Sequence, residues 1–291
     1  MPPKLTPKAH LIGNLTIFVS ALFIYLSTVT IRWAEGVVAI DPSYFTFARF
    51  IVGFVVICAI LAVRGTRPRV RSYHLLIGRA LTNCVAVYCF YKAVALTTVA
   101  EANILNMTFP LFVALFSWTV MKKQRDLGAS LTVVVAFVGV WLVLAPDFSS
   151  FKPGNLWGLA SGTTAAAAII YLNVSRQYHD TDTILFFMFG LGSALIYLLY
   201  RKHIFMPDPQ ALFYLLMCAG FGVVGQYLLT LGFRYVTAVE GSIVSSARIL
   251  MAALLGPYLA ADPSLTLTGW VGAVTIFVAN IYLAVRRVDT H

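Results

Sequence analysis

Four basic residues stand inside long apolar stretches of this 291-residue chain: Arg49, Arg79, Lys92 and Arg248. A cation so placed costs about 3 kcal/mol on insertion scales. It must therefore face water, pair with an acid, snorkel to an interface or meet an anionic ligand. Arg79 and Asn83 share one helical face at i and i+4, and Tyr88, Tyr91 and Lys92 form a polar-aromatic cluster further along, with Tyr88 and Lys92 again four apart. Asn103, Asn106 and Pro110 fall at i, i+3 and i+7, while Ser242, Ser245 and Arg248 make a polar stripe. Gln226 places an amide in another apolar run. Guanidinium, ammonium, amide and hydroxyl groups in this pattern suit recognition of a carboxylate or another anion. Arg248 lies deepest, whereas Arg49 is about six residues into its stretch and shallow enough to snorkel. Glu101 and Glu240 are the acids placed to pair with these cations or to carry a proton. Pairing is the favoured role, because a neighbouring cation keeps a glutamate ionised. Pro110 removes one helical hydrogen bond and marks a candidate hinge.

Other chemistries find little support. His10, His74, His179, His203 and His291 are terminal or near loops, so no acid, base and nucleophile converge, and no enzyme is expected. Cys58, Cys84, Cys89 and Cys218 have no metal-ligand spacing and read as small buried hydrophobes. Gly220-Phe-Gly-Val-Val-Gly225 lies in apolar surroundings with no preceding strand, so it is not a nucleotide fingerprint. No metal and no cofactor are expected.

The elements that must hold these groups follow from composition. Hydrophobic residues make up 60% of the chain and charged residues 11%, against about a quarter charged in soluble domains. Ten apolar stretches, about 11–31, 43–63, 74–96, 100–121, 127–145, 155–175, 183–200, 211–233, 238–260 and 266–285, have the length a bilayer requires. Charge and proline separate them, as in Arg64-Gly65-Thr66-Arg67-Pro68 and Met206-Pro207-Asp208-Pro209. The fold class expected is all-α integral membrane, with the lipid bilayer as solvent. With ten spans, the loops on the side of the termini carry 13 Lys/Arg and those on the other side carry 4, which places both termini in the cytoplasm. The basic pI of about 9.6 is thus a matter of topology, and no nucleic-acid partner is expected.

The chain also resembles itself. At an offset of 139 residues Thr98 falls on Thr237, Glu101 on Glu240, Asn103 on Ser242 and Asn106 on Ser245. Two five-span halves, 1–145 and 154–291, must enter the membrane from opposite sides, because five is odd. Inverted repeats around a central cavity suit a carrier that alternates between two states.

The run from Arg79 through Glu101 to Pro110, together with Ala48-Arg49-Phe50 and the two halves, resembles the EamA domain of the drug/metabolite transporter superfamily, over essentially the whole chain. That resemblance implies a ten-helix carrier of the bacterial inner membrane. The expected function is secondary transport of a small carboxylate-bearing metabolite, an amino acid or organic anion, by alternating access. A nucleotide-like or phosphorylated cargo is the alternative, and a membrane enzyme or structural protein is the rival class. One chain is expected to suffice, with a dimer as the other arrangement.

Overall fold

The computed structural model describes residues 7–120, 127–143, 152–236 and 238–288. Within them the chain forms eleven α-helices and no strand. The first half contains α1 (Pro7–Glu35), α2 (Pro42–Arg64), α3 (Tyr73–Leu96), α4 (Val99–Asn106), α5 (Phe109–Val120) and α6 (Leu127–Val143). The second contains α7 (Gly154–Ser175), α8 (Thr181–Tyr200), α9 (Pro209–Gly232), α10 (Ala238–Leu259) and α11 (Leu267–Val288). Among the described residues, Leu11–Glu35, Pro42–Arg64, Thr181–His203 and Pro209–Gly232 are long and apolar enough to cross a bilayer.

Short polar side chains start these helices. Asp41, Asp180 and Asp208 accept from the backbone N–H of Ser43, Thr183 and Ala211 at 2.7–2.8 Å, each cap contributing about 1 kcal/mol. Pro42 and Pro209 open α2 and α9, where a missing N–H costs nothing. Gly65 ends α2 at φ 62°, a conformation that disfavours any residue with a Cβ.

Two boundaries differ from the sequence reading. The single stretch expected over 100–121 is two helices, α4 and α5, interrupted at Met107 and Thr108. Pro110 has no N–H for the carbonyl of Asn106, and a proline is tolerated in the first turn of a helix, where its N–H would have no partner. The carbonyl of Met107 released at the break accepts from Asn280 Nδ2 on α11 at 3.1 Å. Pro110 therefore opens a new helix instead of kinking a continuous one. At the other boundary, α1 continues to Glu35, so Arg32 lies in its last turn and not in a loop.

Packing runs mainly between the halves. α1 lies along α9 as α3 lies along α7; α1 meets α10 as α4 and α5 meet α7; and α2 meets α9 as α3 meets α8. α6 pairs with α11 and α2 with α8. Small residues permit the closest approaches: a Cβ on Gly162 of α7 would sit 2.5 Å from Thr108 Oγ1 and 2.9 Å from the Leu105 carbonyl. Large apolar side chains such as Val63, Leu198 and Leu267 face outward, the surface lipid requires.

Candidate functional site

The interrupted fourth stretch and the cross-half packing leave a cavity of about 90 Å³ among α1, α2, α3, α4, α7, α9 and α10. Three guanidinium groups line it: Arg49 from α2, Arg79 from α3 and Arg248 from α10. They are 3%, 2% and 4% exposed, so none reaches an interface. No Asp or Glu lines the cavity among the described residues. The snorkelling considered for Arg49 is thus corrected. Its side chain turns inward because Gly222 leaves room beside it, where a Cβ would lie 2.9 Å from Arg49 Cδ.

The three cations are held differently. Arg49 Nη1 donates to Tyr91 Oη at 3.0 Å and Nη2 to Gln226 Oε1 at 3.4 Å, with the guanidinium 5.7 Å from the Tyr91 ring centroid. Tyr91 is in turn bonded to Ser27 Oγ at 2.7 Å, and Ser27 donates to the Cys218 carbonyl at 2.9 Å. Arg248 Nη2 donates to Asn106 Oδ1, and its guanidinium lies 5.2 Å from the Phe90 ring centroid. Asn106 Nδ2 passes the chain to Ser161 Oγ at 2.5 Å, which ends on the Ala86 carbonyl at 3.0 Å. Arg79 has a buried Nε with no hydrogen-bond partner, as does Arg248. Together the groups offer an anion several N–H donors from both halves of the chain.

Of the residues selected on sequence, Arg79, Asn83, Asn106, Gln226, Ser245 and Arg248 face this cavity. Tyr88 and Lys92 do not line it. The Lys92 ammonium lies 4.3 Å from the Trp157 ring centroid and donates to Tyr88 Oη at 3.4 Å, while Tyr200 stacks on Tyr88. Asn103 serves helix packing, donating to Thr28 Oγ1 at 3.1 Å and the Val99 carbonyl at 2.8 Å. Glu101 forms a capping box with Thr98 at the start of α4 and lies 3.4 Å from Lys152 Nζ, so it is not the partner of Arg248. The side chains of Glu240 and Ser242 lie outside the described residues. Tyr91, grouped on sequence with Tyr88 and Lys92, separates from them and holds Arg49. Ser161 escaped selection, because it sits among small residues that read as packing.

A second polar cluster closes the end of the bundle where α1, α3 and α10 finish. Arg32 pairs with Glu35 at 2.5 Å and approaches Asp262 Oδ1 at 3.6 Å. The same guanidinium donates to the carbonyls of Thr97 and Val94. Asp262 Oδ2 accepts from the Ala100 backbone N–H at 3.1 Å, and Trp33 Nε1 donates to the Leu259 carbonyl at 2.5 Å. Burial pushes the Asp262 carboxyl above the usual carboxylate range, opposed by the Ala100 N–H and by Arg32. The cluster joins α1 and α4 of the first half to the α10–α11 loop of the second.

Comparison with known proteins is consistent along the chain. The model of the EamA-like transporter family matches twice, over residues 11–145 and 152–285. An uncharacterized transporter of Archaeoglobus fulgidus is 26% identical over 94% of this chain and 97% of its own length. A riboflavin transporter of Brucella anthropi is 23% identical over 88% and 92%. A pseudopaline exporter of Pseudomonas aeruginosa is 23% identical over 70% and 72%. A crystal structure of a protein 20% identical in sequence superposes with a TM-score of 0.64, covering 97% of this chain and 99% of that one, a likeness of fold.

Proposed function

The chain belongs to the EamA-like transporter family, and on that premise we propose that it is a secondary transporter whose central cavity binds a small carboxylate-bearing metabolite, an organic anion or amino acid. It is a multi-pass membrane protein. In this reading ten spans form two inverted five-helix repeats, 1–145 and 154–291, with α4 and α5 sharing one span. The bacterial inner membrane holds it, with both termini in the cytoplasm. Support for the repeats comes from the paired helix contacts, α1 on α9 matching α3 on α7, and from the 139-residue offset. Support for the orientation is the bias of basic loops.

The observation that carries the binding site is the convergence of Arg49, Arg79 and Arg248 on one cavity with no acid on its wall among the described residues. Buried arginines of this kind mark substrate paths in membrane proteins. The cavity volume of about 90 Å³ is smaller than the roughly 150 Å³ that holds benzene in an engineered core. It encloses the charged head of a metabolite, and the walls must part for the remainder. Alternating access supplies that motion, with the Arg32–Asp262 cluster as the closure on the non-cytoplasmic side. Relatives named for riboflavin transport and pseudopaline export differ in cargo, so the cavity's own chemistry decides the class. A phosphorylated or nucleotide-like cargo is the second reading, favoured by the same guanidinium groups, which bind phosphate as readily as carboxylate.

Uptake and counterflow in proteoliposomes, with a panel of radiolabelled amino acids, organic acids and nucleotides, test the function. The expected result is saturable flux of a compound bearing a carboxylate or phosphate, lost in Arg248→Ala. Carriage of neutral or cationic compounds only, with no competition from anions, would overturn the reading.

A further inference from the structure

We infer that the cargo carries at least two negative charges and no ammonium group, as in a dicarboxylate, a tricarboxylate or a phosphate monoester. This inference rests on the central cavity being the substrate site. It follows from the charge the wall presents. Arg49, Arg79 and Arg248 are each at least 96% buried and converge on one cavity. Desolvating a guanidinium is costly, and mutual repulsion adds to the cost. Protein dipoles offset part of it for two of the three: Tyr91 and Gln226 accept from Arg49, and Asn106 accepts from Arg248. A single carboxylate would neutralise only one of three cations.

A zwitterion is a poorer match still. Its ammonium needs an acid or several free carbonyl oxygens, yet no carboxylate lines the cavity among the described residues. The amide oxygens of Gln226 and Asn106 are already engaged by Arg49 and Arg248. The side-chain oxygens of Ser20 and Asn83, which also line the cavity, are neutral and supply no negative charge to offset three guanidinium groups. An ammonium entering here would meet guanidinium charge. A second anionic group, by contrast, gains N–H donors that are otherwise spare: the Nε atoms of Arg79 and Arg248 are buried without partners. Carboxylate and phosphate share this bidentate chemistry with arginine. Glu240 stands two turns before Arg248 on α10, so its amide variant tests whether an acid contributes to the preference.

The test is the melting midpoint of the full-length protein in detergent at matched ionic strength. The probes are succinate, glycerol 3-phosphate, the monoanion acetate and the zwitterion glutamine. Succinate or glycerol 3-phosphate should raise the midpoint by about 3 °C or more beyond acetate and glutamine, and which of them does so separates the dicarboxylate from the phosphate ester. Arg79→Gln should abolish that difference while its ligand-free midpoint stays at or above that of the native chain, since a buried unpaired cation has been removed. Arg79→Lys should recover part of the shift, and Glu240→Gln should leave the preference for dianions unchanged. Equal shifts from all four probes, or none, would overturn the inference. So would dianion shifts that survive Arg79→Gln, or a preference for dianions that disappears in Glu240→Gln. Glutamine as the strongest probe, with dependence on Arg79, would overturn it while leaving the carboxylate-transport reading intact. Flux of neutral compounds alone in the counterflow panel would remove both.

Discussion

Arg248 of α10 donates a hydrogen bond to Oδ1 of Asn106, the last residue of α4. The contact joins a buried cation of the second half to the point where α4 gives way to α5. Asn106 also donates through Nδ2 to Ser161 Oγ of α7, so one asparagine connects three helices around the cavity. In the proposed reading, substrate charge at Arg248 would therefore bear on the geometry of the α4–α5 break.

Removing either end of that contact should damage transport in different ways. Arg248→Ala removes a cation and should lower counterflow by about 10- to 100-fold, the cost of a lost charge-assisted hydrogen bond. Arg248→Lys keeps the charge without the fork and should retain partial flux. Asn106→Ala leaves the buried guanidinium with fewer partners, so it should also lower the melting midpoint. Initial rates in proteoliposomes and thermal melts check both.

Gly162→Ala places a methyl 2.5 Å from Thr108 Oγ1 and 2.9 Å from the Leu105 carbonyl. The backbone at the break cannot yield as a flexible side chain would, so overpacking should cost about 1–3 kcal/mol. Flux should fall further than Asn106→Ala alone would cause, because both Asn106 and Thr108 move. Melting curves and counterflow of the variant, measured side by side, decide this.

The cluster at the end of α1, α3 and α10 makes a prediction about access. With Cys58, Cys84, Cys89 and Cys218 replaced by Ala, a cysteine at Ser245 should resist an impermeant thiol reagent applied from the non-cytoplasmic side. Arg32→Gln or Asp262→Asn, which break the 3.6 Å pair, should raise the labelling rate about tenfold. Unchanged labelling would remove the cluster from any role in closure.

Ala261 precedes Asp262 with φ 51°, a left-handed conformation that costs a residue with a Cβ about 1–2 kcal/mol. Ala261→Gly should therefore raise stability by about 1 kcal/mol less the added entropy of glycine in the unfolded chain. A melting midpoint higher by about 1–3 °C is the expected reading. No loss of flux should accompany it, because the Asp262 contacts do not involve the Ala261 side chain.

Much of this architecture is legible in the amino-acid sequence. Apolar stretches and their proline and aspartate punctuation give the helices, since Asp41, Asp180 and Asp208 cap as their types suggest. Helical spacing brought Arg79, Asn83, Asn106, Ser245 and Arg248 to one conclusion, because residues on one face of one helix can be read without knowing its neighbours. What could not be read depends on those neighbours. Arg49 looks shallow when depth is measured along α2 alone, and only Gly222 and Tyr91 on other helices turn it inward. Lys92 looks like Arg79 in sequence, yet Trp157 from α7 takes its charge onto an aromatic face. Asn103 looks like Asn106, three residues away, but meets Thr28 of α1.

If the buried guanidinium groups bind the transported molecule, Arg79 is the residue to change first, because its Nε has no protein partner. The measurement is the initial rate of counterflow, in proteoliposomes, of the anion with the highest flux through the native chain, compared with Arg79→Gln at equal incorporation. At least a tenfold loss of rate is expected, in a variant whose thermal stability is undiminished. Equal rates in the two proteins would contradict it.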